Sequence, residues 1–524
     1  MSRISSRGIH STLAEKVDFH KIHFCAIIWY HLEDSGLELA VTLNDNPTDP
    51  LYRQLYEGLR EAILSGRLPP GRKLPSSRNL ARQLNVSRNT VTSAYSELEA
   101  EGYLSGLHGS GTYVSWELPE ERPLEVATGG APGDRCSGQF PRPMRWQQLS
   151  SGAGLGADLD VPRGLPYDFH PGQGAWDVFP AGTWRRLLAR QWRRGWREIM
   201  DYGDPGGYRP LREEVAAFLG RSRAVRCDPS QVVIVNGTQQ ALDLLARVLL
   251  APGDLVGIEE PGYRSARMLF ASHGATLFPV PVDQEGLVVD RLRGSGARLA
   301  LVSPSHQFPT GSVLSLPRRL SLLSWARSEG GLVVEDDYDS GFRFEGRPLA
   351  SLQGLDDSGS VVYLGSFSRL LFPALRVGYA VLPPDLVRPF QDAKELTDRQ
   401  TPILEQQLLA GFLGEGHFER HLRRMRLLYR ERRRTLVDAL QERLDGVVEV
   451  MGAEAGMHLM VRLLVQVDEA ELVKRAASLG VAVYPAAPYY LGPSPGPALV
   501  LGYASMSEER IREGVERLAR ALRR

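Results

Sequence analysis

The sequence predicts a multidomain protein in which a small α+β unit, made of three helices and a hairpin, precedes a large α/β domain. Its 524 residues exceed one ordinary domain, and 43% hydrophobic with 24% charged residues is typical of globular proteins. Helical periodicity followed by a hairpin pattern occupies residues 48–116. From residue 167 to residue 524, short apolar runs alternate with helical segments, which indicates a mainly parallel sheet.

The composition limits the kinds of site and binding partner that the sequence can have. Basic and acidic residues balance at 62 each, so any affinity for nucleic acid must come from local clustering. The three cysteines have neither metal nor disulfide spacing, and no metal site is predicted. No apolar run approaches the roughly 20 residues of a membrane span, and we expect a cytoplasmic protein without a membrane partner. Residues 1–36 match no recognised pattern. They are interpreted as an extension that is either disordered or the result of a start codon assigned too far upstream.

Residues 48–116 carry the pattern of three helices and a hairpin. Apolar residues recur at helical spacing over residues 51–63. Ser76 and Ser77 can cap a second helix and Ser87 a third, because a serine hydroxyl accepts a hydrogen bond from a free backbone N–H. Two short strand-like runs flank a glycine-rich tip within residues 103–114. Three helices followed by such a hairpin form a winged helix-turn-helix.

The segments LPSSRNLA, VSRNTV, LEAEGYL and GSGTYV resemble the GntR-type DNA-binding domain over nearly all of its length. The resemblance implies that the third helix enters the major groove and that the wing lies along the minor groove or backbone. The residues that it implies for DNA contact are Arg78, Ser87, Arg88, Asn89, Thr90, Gly109 and Gly111. Eight basic against five acidic residues give residues 50–116 a charge of +3. The alternative is a protein-binding winged helix with solvated arginines.

Residues 117–166 carry seven prolines, many glycines and little apolar periodicity, which predicts a flexible linker. The large domain then covers residues 167–524. Four apolar runs, QVVIV, LALV, LVVE and SVVYL, predict strands within it. The sequence NGTQQ follows the first of these runs and opens a helix. Backbone N–H groups at such a helix start suit a phosphate, so Gly237, Thr238 and Gln239 are candidate ligands, although the same pattern is also an ordinary turn.

The order of the next motifs resembles that of fold-type I aminotransferases, which bind pyridoxal 5′-phosphate. In EEPGYRSAR, the resemblance implies that Tyr263 stacks on the pyridine ring and that Arg264 anchors a ligand carboxylate. In VEDDYDSGFRF, it places Asp336 at the pyridine N–H and Tyr338 at the ring 3′-oxygen. His306 in SPSHQFPTG is interpreted as a supporting hydrogen-bonding residue, and not as a metal ligand.

The segment GSFSRLLFPALRVGY completes the resemblance. Ser366, Ser368 and Arg376 would form a phosphate cup, since a guanidinium matches phosphate geometry. Arg369 stands where aminotransferases carry the lysine that forms a Schiff base with the cofactor. A lysine amine can lose its proton and attack an aldehyde, whereas a guanidinium, with a pKa above roughly 12, stays charged and non-nucleophilic.

Lysine is rare in this chain, because only five of the 62 basic residues are lysines. Drift in an arginine-rich proteome is therefore an alternative explanation for Arg369. Neither Lys394 nor Lys474 lies in a motif that could replace the missing amine. We expect no enzymatic activity from this domain.

Residues 38–524 as a whole resemble the MocR/GabR-type regulators of the GntR superfamily. The resemblance implies a DNA-binding transcriptional regulator that forms a homodimer through the large domain and senses a small-molecule effector there. Pyridoxal 5′-phosphate would bind non-covalently, or its site would be vestigial. Two alternatives stay open: an active pyridoxal-phosphate-dependent aminotransferase of class I/II, and a dimerisation scaffold in which Arg369 pairs with Asp336 or a neighbour and fills the cavity.

Overall fold

The computed structural model describes Leu43 and residues 50–107, 111–119, 161–162, 164–344 and 350–523. These residues belong to two compact units, divided between Gln139 and Phe140. The predicted extension and most of the predicted linker lie outside the described residues.

The first unit is the predicted winged helix-turn-helix. Its helices are α1 (Leu51–Leu64), α2 (Ser77–Gln83) and α3 (Arg88–Ala100), and its antiparallel hairpin joins β1 (Leu104–Leu107) to β2 (Gly111–Val114). The apolar stripe of α1 packs against α3, and its members Leu55 and Leu59 are fully buried. Val114 at the end of the hairpin is also fully buried, so the wing is fixed to the same small core.

The second unit contains an eight-stranded sheet in the order β4-β11-β10-β9-β8-β5-β6-β7. Its strands are β4 (Val232–Val235), β5 (Leu255–Glu260), β6 (Thr276–Asp283), β7 (Gly286–Leu287), β8 (Leu299–Val302), β9 (Leu332–Asp337), β10 (Val361–Ser366) and β11 (Gly378–Val381). Only β7 and β11 run against the others. All four predicted strand runs are confirmed. They are almost wholly buried, as expected for a sheet covered on both faces.

Helices cover this sheet and build the rest of the unit. They are α4 (Ala181–Ile199), α5 (Arg209–Arg223), α6 (Thr238–Leu249), α7 (Arg264–Ser272), α8 (Leu316–Glu329), α9 (Leu352–Leu355), α10 (Phe367–Leu370), α11 (Pro384–Asp398), α12 (Ile403–Gly414), α13 (His417–Leu444), α14 (Glu469–Ser478) and α15 (Glu508–Leu522). No helix among the described residues is long and apolar enough to cross a membrane.

Two smaller sheets complete the second unit. An antiparallel sheet has the order β12-β13-β16-β15, formed by β12 (Val448–Met451), β13 (His458–Leu463), β15 (Tyr484–Pro485) and β16 (Ala498–Gly502). The other pairs β3 (Tyr167–Asp168) with β14 (Val481–Ala482) in parallel. This pairing ties the start of the unit to a segment more than 300 residues later.

The parallel strands bring three motifs to one edge of the large sheet. The strands β9 and β10 lie side by side with Asp336 opposite Leu364, so Asp336 and Ser366 both lie near the carboxyl ends of their strands. The strand β4 ends at Val235, two residues before Gly237 at the start of α6. Ligands of open α/β sheets bind at such an edge.

Candidate functional site

The third helix of the first unit begins with a side-chain cap. Ser87 has an extended backbone, and its Oγ accepts a hydrogen bond from the backbone N–H of Thr90 at 3.1 Å. This cap fixes the first turn of α3, where the side chains of Arg88 and Asn89 are exposed. Thr90 is half-buried, with its hydroxyl oxygen 2.9 Å from that of Ser87. The start of α3 therefore presents a guanidinium and an amide, which are groups that bind base edges.

The second helix starts close to the third. Ser76 caps α2 by accepting a hydrogen bond from the N–H of Asn79 at 3.3 Å. Arg78 lies in this first turn with an exposed side chain. Arg88 Nε donates to Ser77 Oγ at 3.4 Å, so the two helix starts adjoin. Arg78 and Arg88 form an exposed basic surface of the kind that contacts DNA phosphates and bases.

The backbone of the wing lies close to the Lys73 side chain at Gly111. Its φ is +117°, and a Cβ there would lie 2.8 Å from Cε of Lys73. Lys73 also places its ammonium 5.6 Å from the centre of the Tyr113 ring. Lys73 thus adds a cation at the base of the wing that the predicted contact set omitted. Gly109, also predicted to contact DNA, lies outside the described residues.

The second unit has a cavity of about 440 Å³ at the carboxyl edge of its large sheet. The cavity is lined by all nine residues predicted to bind the cofactor and by Arg369, which stands at the position of the aminotransferase lysine. These are Gly237, Thr238, Gln239, Tyr263, Asp336, Tyr338, Ser366, Ser368, Arg369 and Arg376. Arg264 does not line it and instead begins α7, so the structure does not bring the predicted carboxylate anchor into this cavity.

One wall of the cavity comes from a segment that sequence reasoning missed. His170, Gly172, Gln173 and Trp176 all line the cavity. Gly172 has φ +96°, and a Cβ there would lie 1.2 Å from Nη1 of Arg369. The guanidinium therefore lies directly against the Gly172 backbone, where only glycine leaves room. The glycine-rich run HPGQG after β3 was the available signal.

The end of the cavity at α6 suits a phosphate. Gly237 caps α6 with φ +100°, and its backbone adjoins the guanidinium of Arg376, which donates to the carbonyl oxygen of Asn236. Ser366 Oγ accepts a hydrogen bond from the N–H of Ser368 at 3.1 Å. Ser368 Oγ is buried and has no hydrogen-bond partner among the described residues. Helix N–H groups, a guanidinium and a free hydroxyl together match an anion.

The cavity is also lined by a buried acid. Asp336 is 6% exposed, and its Oδ1 has no hydrogen-bond partner among the described residues. Burial, together with the charges of Asp337 and Asp339, raises the pKa of Asp336 to about 7, while Arg369 opposes that rise. An unpaired buried carboxyl oxygen needs a donor such as a pyridine N–H. The ring and phosphate of pyridoxal 5′-phosphate thus fit the residues present, and its covalent attachment does not.

Tyr338 is held by the residues around it. Its hydroxyl donates to the carbonyl oxygen of His306 at 3.0 Å and lies 3.2 Å from His306 Nδ1. His306 Nδ1 is also 2.9 Å from Asp339 Oδ2. His306, Asp339 and His458 offer ligand atoms within 4.8 Å of one another, which is a spacing compatible with a metal ion. The hydrogen bonds of His306 agree with the supporting role predicted for it.

Arg369 makes no hydrogen bond or ion pair with any residue in the part of the chain that the structure describes. Its side chain is half-buried, lines the cavity and lies against Gly172. Its charge opposes the rise in the pKa of Asp336 without an ion pair between the two side chains. The scaffold alternative required Arg369 to pair with Asp336 or a neighbour and to fill the cavity. Among the described residues Arg369 has no such partner, and the cavity remains open.

Two family models match the two units. The model of bacterial regulatory proteins of the gntR family matches residues 51–114. The model of aminotransferase class I and II matches residues 185–518. The first match covers the winged helix-turn-helix, and the second covers the cavity except for the segment around Gly172.

Full-length relatives combine both units. The chain is 39% identical to the protein named probable rhizopine catabolism regulatory protein MocR of Rhizobium meliloti, over 90% of this chain and 94% of that protein. It is 35% identical to the HTH-type transcriptional regulator TauR of Rhodobacter capsulatus, over 90% and 96%. Among solved structures, LysN, the α-aminoadipate aminotransferase of Thermus thermophilus, matches with a TM-score of 0.67 and 33% identity, over 73% of this chain and 97% of LysN.

Proposed function

Because this chain belongs to the MocR-type HTH regulators of the GntR superfamily, we propose that it binds operator DNA and controls transcription in response to a small molecule. The observation that carries the proposal is the exposed pair Arg78 and Arg88 at the adjoining starts of α2 and α3. A capped helix with an arginine in its first turn suits the major groove.

Selection from a random double-stranded DNA library tests this proposal. The full-length protein should enrich one sequence motif, present as two half-sites if the regulator binds as a dimer. The Arg88→Ala variant, at matched protein concentration, serves as the control for binding through α3. Recovery of unenriched DNA by the wild-type protein would contradict sequence-specific recognition.

We also propose that the aminotransferase-like domain performs no transamination. Pyridoxal 5′-phosphate, when bound through a lysine, supplies an electron sink for bonds at the substrate α-carbon. Arg369 cannot supply the nucleophilic amine or the general base that this chemistry uses. Lys394 is fully buried and paired with Asp398 at 2.7 Å, and Lys474 lies exposed on α14, so neither lines the cavity.

Reduction with borohydride tests the absence of a covalent cofactor. The protein is mixed with pyridoxal 5′-phosphate, reduced and digested, and the modified peptides are identified by mass spectrometry. We expect no stoichiometric label on any lysine. Specific labelling of Lys394 or Lys474 would support the aminotransferase alternative instead.

The proposed regulator acts as a homodimer through its large domain. Two DNA-binding units are needed for two half-sites, and a large folded domain is a suitable place for the contact. Light scattering of the full-length protein should give twice the 58.0 kDa chain mass. A monomer at micromolar concentration would contradict this part of the proposal.

A further inference from the structure

We propose that the cavity binds a small molecule with two anionic groups, a phosphate held at Arg376 and a carboxylate held by Arg369. The proposal deepens the proposed function, because it names the chemical class of the effector. It also gives Arg369 a role of its own, instead of treating it only as a lost lysine.

Half-buried Arg369 differs from the buried arginines Arg223, Arg319 and Arg267 of this unit. Arg223 contacts Asp337 at 2.8 Å, and Arg319 donates to three backbone carbonyl oxygens at 2.7 to 2.9 Å. Arg267 donates to the carbonyl oxygens of Pro488 and Tyr489, both at 2.9 Å. Arg369 has no such acceptor among the described residues, although it is half-buried. A guanidinium removed from water and left unpaired favours an anion supplied from outside.

The lining of the cavity carries more positive than negative groups. Its lining contains two guanidinium groups, those of Arg369 and Arg376, against one acid, Asp336. Burial favours the neutral form of Asp336, which removes part of the only opposing charge. A phosphate held at Arg376 would leave Arg369 without a hydrogen-bonding partner of its own. A second anionic group on the same ligand supplies that partner.

The two arginines lie against different backbone segments of the cavity. Arg376 adjoins Gly237 at the start of α6, whereas Arg369 lies against Gly172 on the wall formed after β3. Tyr263 is within reach of both charges: burial raises the pKa of its hydroxyl, and both guanidinium groups oppose that rise. The unpartnered Oδ1 of buried Asp336 supplies a further polar contact within the same cavity.

The size of the cavity agrees with such a ligand. About 440 Å³ lies within the range of roughly 300 to 1,000 Å³ that small-molecule sites occupy. The planar guanidinium can donate two parallel hydrogen bonds to a carboxylate, which a lysine ammonium at the same position cannot do. The expected ligand class is therefore a phosphorylated carboxylic acid, for which a pyridine ring is a suitable probe scaffold because of Tyr263 and Asp336.

Isothermal titration of the full-length protein with three probes tests the proposal. Pyridoxine 5′-phosphate and 4-pyridoxic acid 5′-phosphate differ only at the 4′ group, which is a hydroxymethyl in the first and a carboxylate in the second. The third probe, 4-pyridoxic acid, lacks the phosphate. We expect the carboxylate phosphate to bind about tenfold to a hundredfold more tightly than the hydroxymethyl phosphate, as for a charge-assisted hydrogen bond. The probe without phosphate should bind more weakly than the carboxylate phosphate.

Two variants assign the two anionic groups to the two arginines. Arg369→Gln should abolish the preference for the carboxylate, while keeping the affinity for pyridoxine 5′-phosphate within about threefold. Arg376→Gln should weaken both phosphorylated probes alike and preserve the carboxylate preference. Arg298→Gln, which changes a surface arginine outside the cavity, is the matched control and should alter neither.

Equal affinity of the wild-type protein for the two phosphorylated probes, or no binding of either, would overturn the proposal. This comparison needs no variant, so misfolding of Arg369→Gln cannot obscure it. The titrations contain no DNA. A failure of operator binding would therefore contradict the proposed function while leaving the ligand result standing, and the reverse also holds.

Discussion

At the scale of single residues, Arg369 is the position on which the proposed loss of transamination rests. The residues around it suit a ring and a phosphate, and among the described residues neither Asp336 Oδ1 nor Ser368 Oγ has a hydrogen-bond partner in this cavity. In our proposal, the missing amine leaves a cavity that binds a ligand but does not attach it covalently.

Restoring the amine should restore covalent capture of the cofactor. We predict that Arg369→Lys, mixed with pyridoxal 5′-phosphate, gains a visible absorption band that borohydride removes, because a lysine at this position lines the cavity beside Asp336 and Tyr338. Arg298→Lys adds a lysine elsewhere and should stay colourless. If the folded Arg369→Lys protein also stays colourless, the cavity has lost more than one residue and the scaffold alternative gains support.

The buried acid predicts a pH dependence of stability. Burial raises the pKa of Asp336 to about 7, from roughly 4 for an exposed carboxyl. The folded state therefore favours the protonated form, and this contribution is present below about pH 4 and is lost as the pH rises through about 7. Asp336→Asn cannot ionise, so its melting temperature relative to wild type should rise between about pH 5 and pH 8, by about 2 to 4 °C.

Thermal denaturation of the ligand-free proteins at the two pH values measures this effect. At about 1.4 kcal/mol per pKa unit, the upper bound on the change is about 4 kcal/mol. Asp290→Asn, at a side chain that is 84% exposed, is the control and should show no such difference. A difference between wild type and Asp336→Asn that is the same at both pH values would contradict the raised pKa.

At the scale of elements, the cap of α3 positions the DNA-contacting residues. Ser87 accepts a hydrogen bond from the N–H of Thr90, and this bond fixes the turn that carries Arg88. We predict that Ser87→Ala destabilises the start of α3 by about 1 kcal/mol. Hydrogen exchange of the full-length protein, read on peptides that cover α3, should show about fivefold faster exchange there.

A matched control lies on the same helix. Ser93→Ala changes an exposed serine in the middle of α3, where alanine has the higher helix propensity, so exchange should not accelerate. Equal protection of α3 in Ser87→Ala and the wild-type protein would show that packing alone fixes the start of this helix.

The elements also show what the sequence could and could not predict. Local signals sufficed where one segment builds one feature, as with the caps at Ser76 and Ser87 and the apolar runs of the large sheet. Gly172 was missed because the run HPGQG does not by itself show where its segment lies, and its place on the cavity wall depends on β3 pairing with β14. The role of Arg264 was inferred from the resemblance of EEPGYRSAR to aminotransferases, but the direction of the helix that it begins decides whether its side chain reaches the cavity.

At the scale of the whole molecule, two units with separate cores carry the two parts of the proposed function. The first has an exposed basic surface at two helix starts, and the second has a cavity whose residues suit anions but, as we propose, do not form the covalent bond. The domain limits predicted at residues 116 and 167 stay predictions, because the segment between them falls almost entirely outside the described residues. The proposed role as a transcriptional regulator depends first on the recognition of DNA by the first unit.

Fluorescence anisotropy on operator and random DNA tests that recognition most directly. The account predicts that Arg88→Ala weakens operator binding by about tenfold or more while leaving random DNA less affected, because a bidentate base contact supplies about 1 to 3 kcal/mol of discrimination. Arg78→Ala should weaken both alike, and binding should fall steeply with salt. An unchanged preference of Arg88→Ala for the operator would contradict the assignment of α3 as the helix that reads the bases.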